Sequence, residues 1–463
     1  MSTPLRALHV YVPALIVALT ACTGTEDSDP GKVRPEPDVP QAQDIQTTDL
    51  DLNLGALTGT ATLVVRPAVG VVTLDVAGLT LSRVTVDGVD APLNVVRGVL
   101  SVAAEADAET VTGTVTVVVD YSFNARTPLQ FDGWMPNLGV TFLWPNYCSN
   151  LFPCNPALED GVTFTMNVTG VDDGLTAIYP TSTHGDGPPY MAGVAVGEYT
   201  KLDLGTTTAG TKLSAWHFPG AAELNNAEKG TAHLRDAFDY FEQTYGPYHF
   251  GPEAGTVEVD WGADSWGGME HHPFFHVAKF DFNDEETQVH EAAHGWFGDG
   301  VRFTCWEDFV LSEGTTTYIT ARALEQVDGP NEWPYYVDDF LVPICEGSAP
   351  RDPTLVNTVV LPDTCNEIDF ENDPIWSLTS YMKGACFYEE VGDEIGADLL
   401  DTIIAEFYKA NVGEAVRMQD MIDLIEARAG AAHKDAIEAA ATDWLRTLEC
   451  PEDYANRCRT HDP

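Results

Sequence analysis

The stretch Thr287-Gln-Val-His290-Glu291-Ala-Ala-His294-Gly-Trp-Phe-Gly298 constrains this chain more than any other. A four-residue separation on a helix of 3.6 residues per turn stacks His290 and His294 on one face. Two imidazoles so placed can grip one zinc ion, and Glu291, beside the first, can reach water held there. A catalytic zinc needs a third protein ligand and an open position. Trp306-Glu-Asp-Phe-Val-Leu-Ser-Glu313-Gly-Thr-Thr-Thr-Tyr318 offers Glu313, nineteen positions beyond His294. That distance accommodates a helix end, a short crossing and a second helix returning alongside the first. His-Glu-x-x-His alone also fits a surface helix with an incidental histidine pair; Glu313 in register weighs against it.

The order of further motifs adds to this pattern. Gly267-Gly268-Met269-Glu270-His271 precedes the histidines, and Tyr381-Met382-Lys383-Gly384-Ala385 follows Glu313. The set resembles the aminopeptidase N family of gluzincin zinc metallopeptidases, which includes leukotriene hydrolase, in a two-domain bacterial lipoprotein form. Trp296-Phe297-Gly298 and Ser312-Glu313-Gly314 share in the likeness, which runs from about Asp49 to about Tyr454. The resemblance implies a multidomain chain: an N-terminal antiparallel β-sandwich, saddle-like, then an α+β thermolysin-like catalytic domain. It implies one Zn2+ per chain on His290, His294 and Glu313, with Glu291 as general base and Tyr381 as donor to the oxyanion. Gly267, Gly268 and Met269 would lie along the substrate backbone, and Glu270 would bind its free α-amine.

Acidic residues outnumber basic ones 72 to 23, for a formal charge of -49. Such a chain repels nucleic-acid phosphates and anionic lipid alike, so a nucleic-acid partner is excluded. Residues 1–21 read as a signal peptide, with Arg6 ahead of an apolar run from Val10 to Leu19. That run is short for a membrane span. Leu19-Thr20-Ala21-Cys22 resembles a lipobox, with Cys22 as the lipidated residue; an ordinary signal peptide is the plainer alternative. Residues 22–46, rich in Pro, Asp, Glu and Gly, read as a disordered tether. The expected location is therefore the outer membrane or cell surface, with membrane contact only through the anchor.

Eight further cysteines, an even number in an exported chain, suggest up to four disulfides. The pairs near in sequence are Cys148 with Cys154, Cys345 with Cys365 and Cys450 with Cys458, which leaves Cys305 and Cys386. From 47 to 214 short Val- and Thr-rich runs alternate with Gly, Asp and Pro, the pattern of an all-β domain. From 215 to 463 the pattern turns helical, with a helix over Ala222–Tyr245, strands at Thr256–Trp261 and His276–Asp281, then the two metal helices and four more.

Three departures from the family pattern bear on specificity. His271 stands where Asn is usual and is followed by His272; these are read as structural or substrate-facing rather than a second metal site. Trp144 stands about where a second amine-binding Gln or Glu is expected. Gly295 and Asp299 replace Gln and Asn. The expectation is a zinc metallopeptidase releasing N-terminal residues from peptides. The alternatives are a zinc endopeptidase or amide hydrolase with relaxed need for a free N-terminus, and a non-catalytic surface module.

Overall fold

The computed structural model describes residues 43–67, 70–104, 113–127, 132–143, 147–262, 266–327, 329, 331–347, 359–365 and 378–458. Residues 1–42, with Cys22, and Trp144 lie outside them. The N-terminal domain opens with a six-stranded sheet in the order Thr163–Thr169, Asp44–Asn53, Thr58–Arg66, Val115–Ser122, Thr80–Val86, Val89–Asp90. Its apolar alternation is clear in Val115–Ser122, where Val115, Val117, Val119 and Tyr121 are buried and the residues between them are not. A three-stranded sheet and a four-stranded sheet complete the domain.

Two details differ from the sequence reading. Asp44–Asn53 pairs parallel with Thr163–Thr169, so the large sheet is mixed. The first strand also begins inside the expected tether, because Ile45 is buried and its N–H donates to Asp160 Oδ1 at 3.0 Å. That partner lies 115 residues away, beyond the reach of local composition.

The second sheet has the order Thr200–Thr206, Lys212–His217, Glu253–Val259, Phe274–Ala278, Gly268–Met269. Its first strand falls within 47–214 and the second straddles that boundary, but Lys212–Trp216 pairs parallel with Glu253–Val257 and so belongs with the sheet that carries the site. A parallel connection needs a crossover. Two helices supply it, Ala221–Gly230 and Leu234–Thr244, where the sequence suggested one; the break is held by His233 N–H donating to Glu285 Oε1 at 2.8 Å. Gly268–Met269 occupies an edge of this sheet, pairing among the described residues only with Phe274–Ala278.

Helices Glu285–Ala293, Phe309–Gln326, Leu378–Ile395, Ala397–Asn411, Met418–Ala429 and Lys434–Leu445 follow. Among the described residues no helix is long and apolar enough to cross a membrane. The domains meet over a closely packed face. Arg302 donates to Gly413 O and pairs with Asp186, while its guanidinium lies where a side chain on Gly161 would stand. Phe142 packs edge-on against Trp261, ring centres 5.0 Å apart.

Four disulfides are present: Cys148–Cys154, Cys305–Cys365, Cys345–Cys450 and Cys386–Cys458. Only the first matches a pair near in sequence. Cys345–Cys365 and Cys450–Cys458 are not formed; tertiary packing instead brings Cys458 to Cys386 and Cys450 to Cys345, tying the C-terminal segment to the helical layer.

Candidate metal centre and active site

Asp284 starts the first site helix by accepting the Thr287 N–H at 3.0 Å, and Glu285 and Glu286 fill the first turn. Acidic groups there favour the positive end of the helix dipole. The helix runs to Ala293, and His294 caps it with helical backbone angles. The chain then turns through Gly298 at φ 106°, where a side chain would stand 2.6 Å from His294 Nδ1 and from Ser312 Oγ. Only glycine satisfies both the angle and the space. Glu313 comes from Phe309–Gln326, a helix buried from Phe309 through Leu324.

Three ligand atoms converge here. His290 Nε2 lies 3.2 Å from His294 Nε2 and 3.2 Å from Glu313 Oε2, and His294 Nε2 lies 3.4 Å from that same oxygen. Zinc bonds of about 2.0–2.1 Å in a regular tetrahedron give edges of roughly 3.4 Å, so the spacing fits a zinc ion. His294 Nδ1–H donates to the Phe297 carbonyl at 3.1 Å, which directs Nε2 toward His290 and Glu313. Burial works against ionised Glu313, yet His294 and then His290 hold its carboxyl at about 2. Glu291 and Glu270 are both raised, by burial first. A bound dication offsets such an excess of buried carboxylates. His290, His294 and Glu313 therefore fit the zinc that their pattern implies.

The other motif residues gather around this centre. Glu291 Oε2 is buried without a protein partner. Carboxylate oxygens of Glu270 and Glu291 and a nitrogen of His294 all lie within 4.8 Å of one another. Gly268 faces the Glu291 carboxylate so closely that a Cβ would collide with it, and a Cβ on Gly267 would meet Asp281 Oδ2 at 2.6 Å. Met269 is buried, and its carbonyl accepts the His271 N–H at 2.8 Å. The Tyr381 ring stacks on His290 with centres 5.8 Å apart, and its hydroxyl lies beside Glu313.

Gly314 and Gly384 explain how Tyr381 comes so near. A Cβ on either glycine would meet the other's Cα at 2.6–2.7 Å, so the Glu313 helix and the Tyr381 helix touch backbone to backbone. Lys383 points the other way. Its ammonium donates to the carbonyls of Thr447, Leu448 and Glu449, closing the end of Lys434–Leu445.

His271 and His272 are fully buried and outside the metal cluster. His271 Nδ1 meets His276 Nδ1 at 3.1 Å. His272 Nε2–H donates to the Glu291 carbonyl, and its Nδ1 accepts from Tyr248. Burial lowers His272 and His276 to about 3, so both are neutral and structural. The sequence reading missed Tyr190. Its hydroxyl approaches Glu270 and Asp299 from the N-terminal domain. Pro188-Pro189-Tyr190 among Gly185, Gly187 and Gly193 was the available signal, a rigid aromatic in a stretch bare of side chains.

Residues 281–444 match the peptidase family M1 domain. That match covers about a third of the chain. The chain is 24% identical over 362 residues to aminopeptidase M1-B of Oryza sativa subsp. japonica, covering 71% of itself and 39% of that protein. It is 23% identical over 269 residues to aminopeptidase N of Streptomyces lividans, covering 56% of itself and 31% of the relative. It thus spans less than half the length of these curated relatives. The fold matches the M1 zinc metallopeptidase of Deinococcus radiodurans with a TM-score of 0.71 at 19% identity, covering 89% of this chain and 96% of that one. Yeast LTA4 hydrolase matches at 0.69 and 17%, over 89% and 69%. The chain is thus similar to aminopeptidase N-like gluzincins.

Proposed function

We propose that this chain is a zinc aminopeptidase carrying one zinc ion and releasing N-terminal residues from peptides. The observation that carries the reading is Glu270, a carboxylate that is neither a ligand nor the base, yet lies within 4.8 Å of both Glu291 and His294. There it suits a substrate's ammonium group. A variant of the Deinococcus radiodurans enzyme has been solved with a Tyr-Ser-Ala substrate, and peptides are the substrates proposed here.

Zinc, when bound, acts as a Lewis acid on the scissile carbonyl and activates water at neutral pH. Glu291, with one oxygen free of protein partners, takes the water proton and later returns it to the leaving amine. The Tyr381 hydroxyl donates to the developing oxyanion. Gly267 and Gly268, on the sheet edge, pair with the substrate backbone as an added strand. Glu270 accepts from the ammonium, a charge-assisted bond.

The test compares wild type with Glu270→Ala on one peptide, free and N-acetylated. The expected result is a strong loss of kcat/KM confined to the free peptide. Equal losses on both would sink the exopeptidase reading in favour of an endopeptidase. We further propose lipid anchoring at Cys22 and export to a membrane surface, on the strength of Leu19-Thr-Ala-Cys22. Mass spectrometry of the mature N-terminus decides it, and an unmodified terminus elsewhere would refute the anchor.

A further inference from the structure

The run Gly314-Thr315-Thr316-Thr317 follows Glu313 directly, and all three threonines are buried. β-Branched residues are poor helix formers, so three in succession inside a helix need another reason to be there. A buried hydroxyl also costs free energy unless it finds a partner. Each of these finds a different one. Thr315 shares a hydrogen bond of 2.8 Å with the hydroxyl of Tyr388, on the helix that carries Tyr381. Thr317 donates to the Glu313 carbonyl at 2.7 Å, a bond within its own helix. Thr316 donates out of the helix, to the Phe297 carbonyl at 3.1 Å.

That carbonyl also accepts His294 Nδ1–H at 3.1 Å, and Thr316 Oγ1 stands 3.4 Å from Nδ1 itself. Hydroxyl, carbonyl and imidazole thus close a triangle among three buried residues. The Phe297 oxygen belongs to the peptide joined to Gly298, whose φ of 106° suits glycine alone. Local sterics do not fix such a peptide plane, because glycine tolerates many orientations of it. Gly298 N–H donating to Val301 O at 3.0 Å holds one end of the plane, and the Thr316 hydroxyl holds the other.

We infer that Thr316 is a positioning residue for the metal, its hydroxyl holding the Phe297 carbonyl against His294 Nδ1 so that Nε2 faces His290 and Glu313. The inference rests on the zinc reading and gives the Glu313 helix two tasks. Glu313 supplies one ligand, and Thr316, three positions on and so on the same face, orients another. Partners of this kind fix the tautomer and direction of a ligating imidazole, and losing one typically weakens metal binding by about 10- to 100-fold. Only the hydroxyl is used, so serine would serve as well as threonine.

Thr316→Val keeps the branched shape and deletes the donor. The expected result is a zinc Kd weaker by roughly 10-fold, read by competition with a chromophoric chelator and with no substrate present. Thr316→Ala, which deletes the hydroxyl with less bulk, should show the same loss if the valine variant does not fold. Thr316→Ser should keep the wild-type Kd. Thr315→Val is the control: it removes the neighbouring hydroxyl, which faces Tyr388 instead, and should lower Tm while leaving the zinc Kd unchanged. A wild-type Kd in Thr316→Val or Thr316→Ala, an equal loss in Thr315→Val, or a roughly 10-fold loss in Thr316→Ser would overturn the inference and leave Thr316 a packing residue. A wild type that takes up no zinc would refute the zinc reading itself, and this inference with it.

Discussion

Gly384→Ala should damage both stability and catalysis, although Gly384 is neither ligand nor acid–base residue. The added Cβ would stand 2.6 Å from Gly314 Cα and 2.6 Å from Val310 Cγ2. Carbon atoms prefer about 3.5–4.0 Å, so the Glu313 and Tyr381 helices must part by roughly 1 Å. Overpacking of this kind costs about 1–3 kcal/mol. Alanine returns about 1 kcal/mol of helix propensity, which leaves a net loss of up to ~2 kcal/mol. For a domain of about 200 residues that lowers Tm by several degrees. Tyr381 lies three positions earlier on the same helix, and a shift of about 1 Å in a reacting group costs on the order of 100-fold in rate. Gly392, further along that helix, is the control. The nearest atoms to its Cβ lie at 3.6 Å, an ordinary contact, so Gly392→Ala should be neutral or stabilising by up to ~1 kcal/mol with activity intact. Thermal melts and steady-state kinetics on the two variants test the reasoning. Wild-type kcat and Tm in Gly384→Ala, or matching losses in Gly392→Ala, would refute it.

Other outcomes follow from the same geometry. Glu313→Ala should lower zinc content, whereas Glu291→Gln should keep zinc and abolish turnover, since a ligand and a base ask different things of a carboxylate; metal analysis of both variants checks the assignment. Tyr381→Phe should lower kcat about 100-fold with KM and zinc nearly unchanged, because its donor acts mainly in the transition state; an unchanged kcat would return Tyr381 to a packing role. Asp160 gives a pH dependence away from the site: burial raises its carboxyl to about 7, against the bonds from Asn155 and the Ile45 N–H. The folded protein therefore binds that proton more tightly than the unfolded chain, so this contribution is complete below about pH 4 and is lost as pH rises through about 7. At roughly 1.4 kcal/mol per unit the loss is about 4 kcal/mol. Urea unfolding between pH 4.5 and 8 should show a decline that Asp160→Asn flattens.

What the sequence made legible was local. His290, Glu291 and His294 share one helix and Glu313 sits at a fixed distance along the chain, so spacing sufficed to group these four, whereas Gly268, Glu270 and Tyr381 joined them through the resemblance to a known family. The missing parts depend on elements that meet only in three dimensions. Thr200–Thr206 and Lys212–His217 read as two more short strands after the N-terminal series, and only the pairing of Lys212–Trp216 with Glu253–Val257 assigns them to the sheet beside the site. Cys345 pairs across 105 positions and Cys386 across 72. Eight cysteines allow 105 pairings, and nearness in sequence is a poor guide where helices return past one another. Tyr190 was invisible for the same reason: its partners, Glu270 and Asp299, belong to another domain.

The glycines show why the motifs extend beyond their functional residues. Gly268 stands against the Glu291 carboxylate, Gly298 against His294, Gly314 against Gly384 and Gly193 against His271. In each pair a functional or supporting group needs the room that an absent side chain leaves. A ligand can be recognised by its chemistry, but its position is set by how closely the facing backbone approaches. Gly268 and Gly298 carry this furthest, because there the approached atoms belong to Glu291, the proposed base, and to the imidazole of His294, a proposed ligand. Alanine at Gly268 would push directly on Glu291, and at Gly298 it would meet both a left-handed φ and the His294 ring. The site is thus encoded twice over, once by the residues that react and once by the residues that make way for them.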